Sequence, residues 1–300
     1  MSNVPLSIIV PSYKDQILHK TINSLLENAE GTIEIIVVLD GYNPLQPIKT
    51  DPRLRVLQLK ENRGMRGAIN VGLAEAKGDF VMKIDSHCKV GKGFDRIMAE
   101  SCAENWLMIP RRYTLNLKEW RRGKDRDIKD YHYLSFPKPG SRGLTPREWR
   151  RRTYERFDDP KFAIDDTMSF QGSCWLANRE YFMKQVGFLD DRPETYSTFA
   201  GDQLEIGLKY WLNGGEIKVI KKTWYAHLFK NTNYYKGQPK EIEDHKKRMK
   251  AVAGYKWAVK HWMNNEEPNM LHKFEWLVEK FWPVPMWESN WREVWSGYNL

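Results

Sequence analysis

The chain opens with alternating apolar runs and amphipathic stretches. LSIIV (6–10) is a short apolar run. Residues 16–29 then place Ile17, Ile22, Leu25 and Leu26 at helical spacing. IEIIVVL (33–39) is β-branched and continuous, as in a strand covered on both faces. RVLQL (55–59) alternates, residues 65–76 carry Met65, Ile69, Leu73 and Ala76 on one stripe, and DFVMKI (79–84) predicts another strand. Strand and helix in alternation, joined by short loops, predict an α/β fold built on a parallel sheet. Further on, SFQGSCWLA (169–177) reads as a strand and REYFMKQVG (179–187) as a short helix. DQLEIGLKYWLNGG (202–215) reads as a helix with a glycine stop, and EIKVI (216–220) as a strand. Residues 240–263 are charged and helical. The reading divides the chain into a main domain, 1–235, and a helical, Trp-rich appendage, 236–300, whose tryptophans favour core over a binding platform.

Composition narrows the class. The chain has 300 residues, 41% hydrophobic and 13% aromatic, enough to bury a large core and too apolar for global disorder. No basic leader with a long apolar stretch stands at the N-terminus, and no run reaches the roughly 18 apolar residues of a membrane helix. Cys88, Cys102 and Cys174 lack metal-type spacing and fit reduced thiols in a cytoplasmic protein.

Charge is unevenly placed. Residues 1–110 hold 13 basic and 13 acidic residues, and residues 157–300 hold 20 of each. Residues 111–156 hold 15 and 6, so this segment carries the whole net charge of +9. Its basic residues interleave with Tyr, Trp and Phe. Two readings stand side by side: a surface for a polyanion such as DNA, or a solvated insertion with cation–π pairs.

The chemistry concentrates at KIDSHCKV (83–90). In an extended segment Asp85 and His87 point to one face. A carboxylate with an imidazole suits Mn²⁺ or a similar cation better than Ca²⁺. A third ligand must come from elsewhere, and His227, after another strand-like run, is the candidate. Tyr13, Asp40 and Asp85 all fall just past strand ends, where ligands of α/β sheets collect.

These residues resemble a nucleotide-sugar glycosyltransferase of the GT-A fold, closest in motifs to the polypeptide N-acetylgalactosaminyltransferases. The resemblance runs in order through LSIIVPSYKDQILHKTINSLL, VVLDGYN, NRGMRGAINVGLAEAKGDFVMKIDSHCKV, GSCWLANREYF, FAGDQLEIGLKYWLNGG and AHLFK, spanning residues 6–230. Asp-Ser-His-Cys is its specific part, since most GT-A enzymes use Asp-x-Asp. The resemblance implies that Asp85, His87 and His227 hold Mn²⁺ (or Mg²⁺) on the pyrophosphate of a UDP-sugar. It implies that Asp40, Pro11 and Tyr13 hold the nucleoside, with Arg66 near the diphosphate or uridine. Gly172 and Ser173 let backbone approach the sugar, and Asp202 binds its hydroxyls. Glu205, one helical turn on, supports the site. Lys230, Tyr234 and Tyr235 match a loop that closes over the donor.

Three departures matter. Inverting relatives place a catalytic Asp second in an acidic pair where this chain has Asp202-Gln203. Glutamine cannot accept the acceptor proton, which favours retention of configuration. Phe199-Ala200 and Ser173 replace family residues around the sugar, so the sugar stays open among GalNAc, glucose, galactose and GlcNAc. The acceptor stays open among hydroxymethylated DNA bases, favoured by residues 111–156, Ser/Thr of a cytoplasmic protein, and a saccharide or lipid. A non-catalytic nucleotide-sugar or nucleic-acid binding module is the alternative of another class. A nucleotidyltransferase is disfavoured, because no Gly-rich nucleotide loop stands near residue 11.

Overall fold

The computed structural model describes residues 5–139, 141–197, 201–229 and 242–298, with the side chains of 126 and 242–251 left aside. In chain order the elements are β1 (Leu6–Ser12), α1 (Leu18–Asn28), β2 (Ile33–Leu39), β3 (Leu54–Gln58), α2 (Gly64–Glu75), β4 (Phe80–Ile84) and β5 (Cys88–Val90). Then come α3 (Phe94–Ser101), β6 (Trp106–Asn116), β7 (Arg121–Arg122), β8 (His132–Leu134), β9 (Pro146–Glu148) and α4 (Arg150–Glu155). β10 (Ile164–Asp166), β11 (Cys174–Asn178), α5 (Arg179–Gln185), α6 (Asp202–Leu212) and β12 (Glu216–His227) follow, and α7 (Ile242–Met263), α8 (Phe274–Lys280) and α9 (Trp291–Ser296) close the described chain.

The main sheet runs β10-β12-β6-β11-β4-β1-β2-β3, with β5 on β12 and β7 on β6. Its β3-β2-β1-β4 part is parallel, as the alternation of strand and helix predicts. β11 inserts antiparallel between β4 and β6, which makes the sheet mixed. β12 continues well past residue 220: the register shifts between Ile220 and Trp224 and pairing with β6 resumes up to His227. That irregularity carries the strand to the rim, where β5 adds to it.

β1 and β2 are buried along their whole length because both faces of this part of the sheet are covered. Ile9, Ile36 and Val38 pack with Ala68, Ile69 and Leu73 of α2. Ile8, Val10, Ile35 and Val37 pack with Leu18, Ile22 and Leu25 of α1 and Phe94 of α3. Each such side chain contributes about 1.5–3 kcal/mol on burial.

The C-terminal helices join the first of these cores. Trp262, Phe274, Leu277, Trp287 and Trp291 are buried with Trp175, Phe182 and Trp211 of the main domain. Trp287 donates to the Leu134 carbonyl at 2.7 Å, and Trp262 to the Tyr196 hydroxyl at 2.5 Å. Trp282 stays 44% exposed.

Segment 111–156 is folded into this body, and much of its charge is answered internally. Arg111 pairs with buried Asp130 at 2.9 Å, Arg122 with Asp125 at 2.6 Å and Arg156 with Asp165 at 2.5 Å. Lys129 and Arg150 share Glu148. Arg111, Arg122, Arg152 and Arg156 also lie over aromatic rings. Asp158 and Asp165, just past the segment, supply part of the compensation, so the excess in the linear count overstates the free charge.

α7 comes close to the backbone of the main domain at Gly254, where a Cβ would stand 2.4 Å from the Tyr196 carbonyl oxygen. Gly254→Ala is therefore expected to destabilise by about 1–3 kcal/mol through overpacking. Thermal denaturation checks it; a single, lowered transition is expected because helix and sheet share a core.

Candidate functional site

The site lies at the rim where β4, β5 and β12 meet. Asp85, Ser86 and His87 form the tight turn from β4 to β5. A turn, and not strand alternation, brings the acid and the imidazole together. His227 ends β12 and pairs in register with Cys88, which sets its ring beside the turn.

One ligand atom from each of Asp85, His87 and His227 lies within 4.8 Å of the others. His227 Nε2 stands 3.1 Å from Asp85 Oδ2, His87 Nε2 stands 3.8 Å from the same oxygen, and the two rings are 4.7 Å apart. His87 is aimed from behind: its Nδ1 meets Asp15 Oδ2 at 2.9 Å, which leaves Nε2 facing the cluster. Asp15 is itself fixed by Ser86 Oγ at 2.8 Å and the Ile17 amide at 3.1 Å. Burial pushes His227 down to about 4, against the opposing pull of Asp85, so its imidazole is neutral near pH 7. One carboxylate and two imidazoles, one of them oriented by a second carboxylate, make a donor set that fits a divalent transition cation.

Lys83 is fully buried beneath this cluster. Its ammonium donates to Asp85 Oδ1 at 2.5 Å and to the Gly172 carbonyl at 2.6 Å. Burial raises the Asp85 carboxyl, but Lys83, then His227 and His87, outweigh it and hold the group well below the usual carboxylate range. Burial likewise opposes the Lys83 charge, and Asp85 and Asp202 more than restore it.

Asp202 opens α6 on the far side of Gly172. A Cβ at Gly172 would stand 2.8 Å from Asp202 Oδ2, so glycine gives the carboxylate its room. That oxygen is buried without a hydrogen-bond partner among the described residues, and burial raises the carboxyl against Lys83 and Arg66. It is the acceptor here that a ligand hydroxyl fits. Gln203 donates to Tyr255 of α7 at 3.2 Å, so the C-terminal helices reach the rim of the site. Ser173 bonds the Tyr225 hydroxyl at 2.8 Å, and its carbonyl accepts from the Asp85 amide.

Other expected residues sit apart from the cluster. Asp40 is buried and caps α2, accepting from the Arg63 and Gly64 amides at 2.6 and 3.0 Å and from Asn62 at 2.8 Å. Pro11 is buried within β1, and Tyr13 packs edge-on against Tyr42 beyond its end. Arg66 and Glu205 are 0% and 1% exposed and pair with each other under α6. Arg66 also donates to the Asp190 carbonyl, and Glu205 accepts from Lys209 at 2.7 Å. This pair props α6, and each charge is answered by the other. Lys230, Tyr234, Tyr235, Phe199 and Ala200 lie outside the described residues. Sequence reasoning passed over Lys83 and Asp15. A lysine inside the otherwise apolar FVMKI was the available signal for the first; Asp15 gave none.

A profile described as glycosyl transferase family 2 matches residues 7–186. The chain belongs to glycosyl transferase family 2. This family 2 chain is 23% identical over 269 residues to the polypeptide N-acetylgalactosaminyltransferase 5 of Mus musculus, covering 84% of this chain and 27% of that one. It is 24% identical over 237 residues to the probable N-acetylgalactosaminyltransferase 9 of Caenorhabditis elegans, covering 73% and 38%. The alignments span about a quarter to two-fifths of these relatives' length. Among solved structures, GalNAc-T7 with UDP, GalNAc and Mn²⁺ superposes with a TM-score of 0.67 at 15% identity, covering 87% of this chain and 49% of that one. This likeness shows the GT-A-type fold expected from the motifs.

Two outcomes follow. With Mn²⁺ at a hundredfold over its dissociation constant, the wild type gains about 2.7 kcal/mol, a melting shift of roughly 5 °C. His87→Ala loses this shift while its metal-free melting temperature stays near wild type; scanning fluorimetry with and without metal reads both. The second concerns pH. Burial also pushes His132 down to about 3, helped by Arg112 and Lys129. Both His132 and His227 are neutral when folded, and unfolded histidines take a proton near pH 6.5. Their contribution is full above pH 6.5 and is lost as pH falls toward 4. His132→Asn should flatten the metal-free stability slope across that window by up to about 1.4 kcal/mol per pH unit, read by denaturant titration at stepped pH.

Proposed function

We propose that this chain transfers a sugar from a UDP-sugar to a hydroxyl acceptor, with Asp85, His87 and His227 holding Mn²⁺ against the donor diphosphate. The observation that carries the reading is the convergence of those three side chains, from two distant parts of the chain, on one point. A divalent cation there supplies Lewis-acid stabilisation of the departing nucleoside diphosphate. The remaining steps belong to the protein's own groups. Tyr13 and Pro11, with Asp40 shaping the α2 terminus beside them, form the nucleoside end at β1 and β2. The unpartnered oxygen of Asp202 receives a sugar hydroxyl, and Gly172 leaves space for it. Lys83 keeps Asp85 ionised and fixes its direction.

The transfer retains configuration in this reading. Gln203, bonded to Tyr255, offers no base where inversion needs one. The acceptor is a hydroxyl held near a phosphate group, as in hydroxymethylated DNA; transfer to a Ser/Thr peptide rests on the likeness to the N-acetylgalactosaminyltransferases. Free Cys88, Cys102 and Cys174 suit a reducing compartment such as the cytoplasm. No helix among the described residues is long and apolar enough to cross a membrane. One relative is named an inactive polypeptide N-acetylgalactosaminyltransferase-like protein, so a binding module on the same scaffold is the reading to separate.

Hydrolysis of several UDP-sugars without acceptor separates them. The enzyme hydrolyses at least one slowly, EDTA stops it and Mn²⁺ restores it; UDP binding with no turnover under any donor leaves only the binding module. NMR of the product from a UDP-α-sugar is expected to show an α-linkage, and a β-linkage overturns the retaining step.

A further inference from the structure

Arg112 is the buried cation that the reading above does not use. It lies on β6 opposite Tyr225 of the parallel strand β12, and His227 follows two residues on. Arg112, Tyr225 and His227 therefore project from one face of the sheet. Tyr225 bonds Ser173 across that face, which makes it the face of the site. The Arg112 guanidinium is 4.7 Å from the Phe229 ring, and that ring is 5.4 Å from the His227 ring.

Arg112 is 3% exposed, yet its Nε and Nη2 have no hydrogen-bond partner among the described residues. Its neighbour Arg111, on the opposite face, is bonded to Asp130 and to the Phe157 carbonyl. A buried guanidinium without an anion is costly, and folded proteins rarely keep one idle. Its charge is felt nearby: it disfavours the protonated forms of His132, His227 and Lys129. Lys129 lies over the same Phe229 ring at 5.4 Å, so the spot is positive on two sides.

Position selects what the cation would bind. The nucleoside end is at β1 and β2, the metal triad at β4, β5 and β12, and Arg112 on β6, on the other side of β4 from β1 and β2. Arg112 therefore lies across the metal cluster from the proposed nucleoside end, the side left for an acceptor in that reading. The contact of Arg112 with the Phe229 ring leaves Nε and Nη2 without a partner among the described residues, and a guanidinium can grip two phosphate oxygens through such an N–H edge. Arg150 and Arg151, further along the same segment, are held only by exposed Glu148 and Glu155 partners that a phosphate chain could replace.

We propose that Arg112 is the receptor for a phosphate group of the acceptor, held beside the hydroxyl that takes the sugar. The proposal rests on the glycosyltransferase reading and names its acceptor chemistry. Two sources share that chemistry: a nucleic-acid strand and a polyol-phosphate chain.

The test uses the whole chain saturated with UDP and Mn²⁺. Wild type, Arg112→Gln and Arg112→Lys are titrated by fluorescence anisotropy with a short single-stranded oligonucleotide containing 5-hydroxymethylcytosine, with a glycerol-phosphate oligomer, and with an uncharged methylphosphonate version of the oligonucleotide. Calorimetry measures UDP affinity for each variant, and melting curves report the fold. Arg112→Gln should bind one charged probe roughly tenfold or more weakly than wild type, with Arg112→Lys between them. The probe affected identifies the source. UDP affinity should stay within twofold, and the melting temperature should equal or exceed that of wild type, because an unpaired buried charge has been removed. The proposal is overturned if neither charged probe binds wild type, if Arg112→Gln binds as well as wild type, or if the methylphosphonate binds equally. Weakened UDP binding in Arg112→Gln also overturns it, by moving the residue to the donor, as does a melting temperature lower by several degrees, which makes Arg112 structural. Failure of wild type to bind UDP with Mn²⁺ is a different failure, that of the underlying glycosyltransferase reading.

Discussion

The site depends on keeping one buried carboxylate charged. Asp85 sits where burial alone favours its neutral form. Lys83, two residues earlier on β4, prevents that with a 2.5 Å bond to one oxygen. The other oxygen is left to the two imidazoles. Lys83 also grips the Gly172 carbonyl, so one ammonium fixes the carboxylate, the backbone beside Asp202 and the spacing between them. The lysine–carboxylate pair is neutral together, so a divalent cation at this point would keep most of its charge for an anionic ligand such as the diphosphate of the proposed donor.

The fold brings these groups to one rim by three different means. β4 ends and turns at once into β5, which delivers Asp85 and His87 as neighbours. β12 delivers His227 over a gap of 140 residues, through its irregularity after Ile220 and its pairing with β5. α6 delivers Asp202 on its first turn, braced from below by the Arg66–Glu205 pair. That pair has both partners buried, so removal of either strands the other, and its function is to hold the helix start in place. The C-terminal helices complete the frame, since Tyr255 reaches Gln203 while Trp262 holds Tyr196.

The parallel half of the sheet was legible because β1, β2 and β4 are mostly apolar runs, β3 alternates, and the helices between them carry single stripes. The metal triad was legible through chemistry: His227 stands out as an imidazole at the end of an apolar run. Lys83 was not, because strand patterning reads alternation and apolarity and treats a lone lysine as noise. The pairing of Arg66 with Glu205 was not legible either: the sequence places the two on separate helices, and only the folded structure shows that they satisfy each other. The antiparallel β11 was hidden because a short apolar strand carries no mark of its direction. Boundaries drifted where the backbone bends, as in β12, read as ending at 220.

The charge excess of residues 111–156 shows why linear counts and folded electrostatics differ. Most of those arginines and lysines meet acids from the same segment or from just beyond it, or lie over aromatic rings. A surface so compensated does not attract a polyanion in proportion to its composition. Consecutive Arg111 and Arg112 point to opposite faces of β6, and they divide the two roles. One meets Asp130 and closes a structural pair; the other faces the catalytic rim with no acid in contact among the described residues. The counter-charge that Arg111 finds in Asp130 is missing for Arg112 among the described residues, and that sets it apart from the compensated cations of the segment.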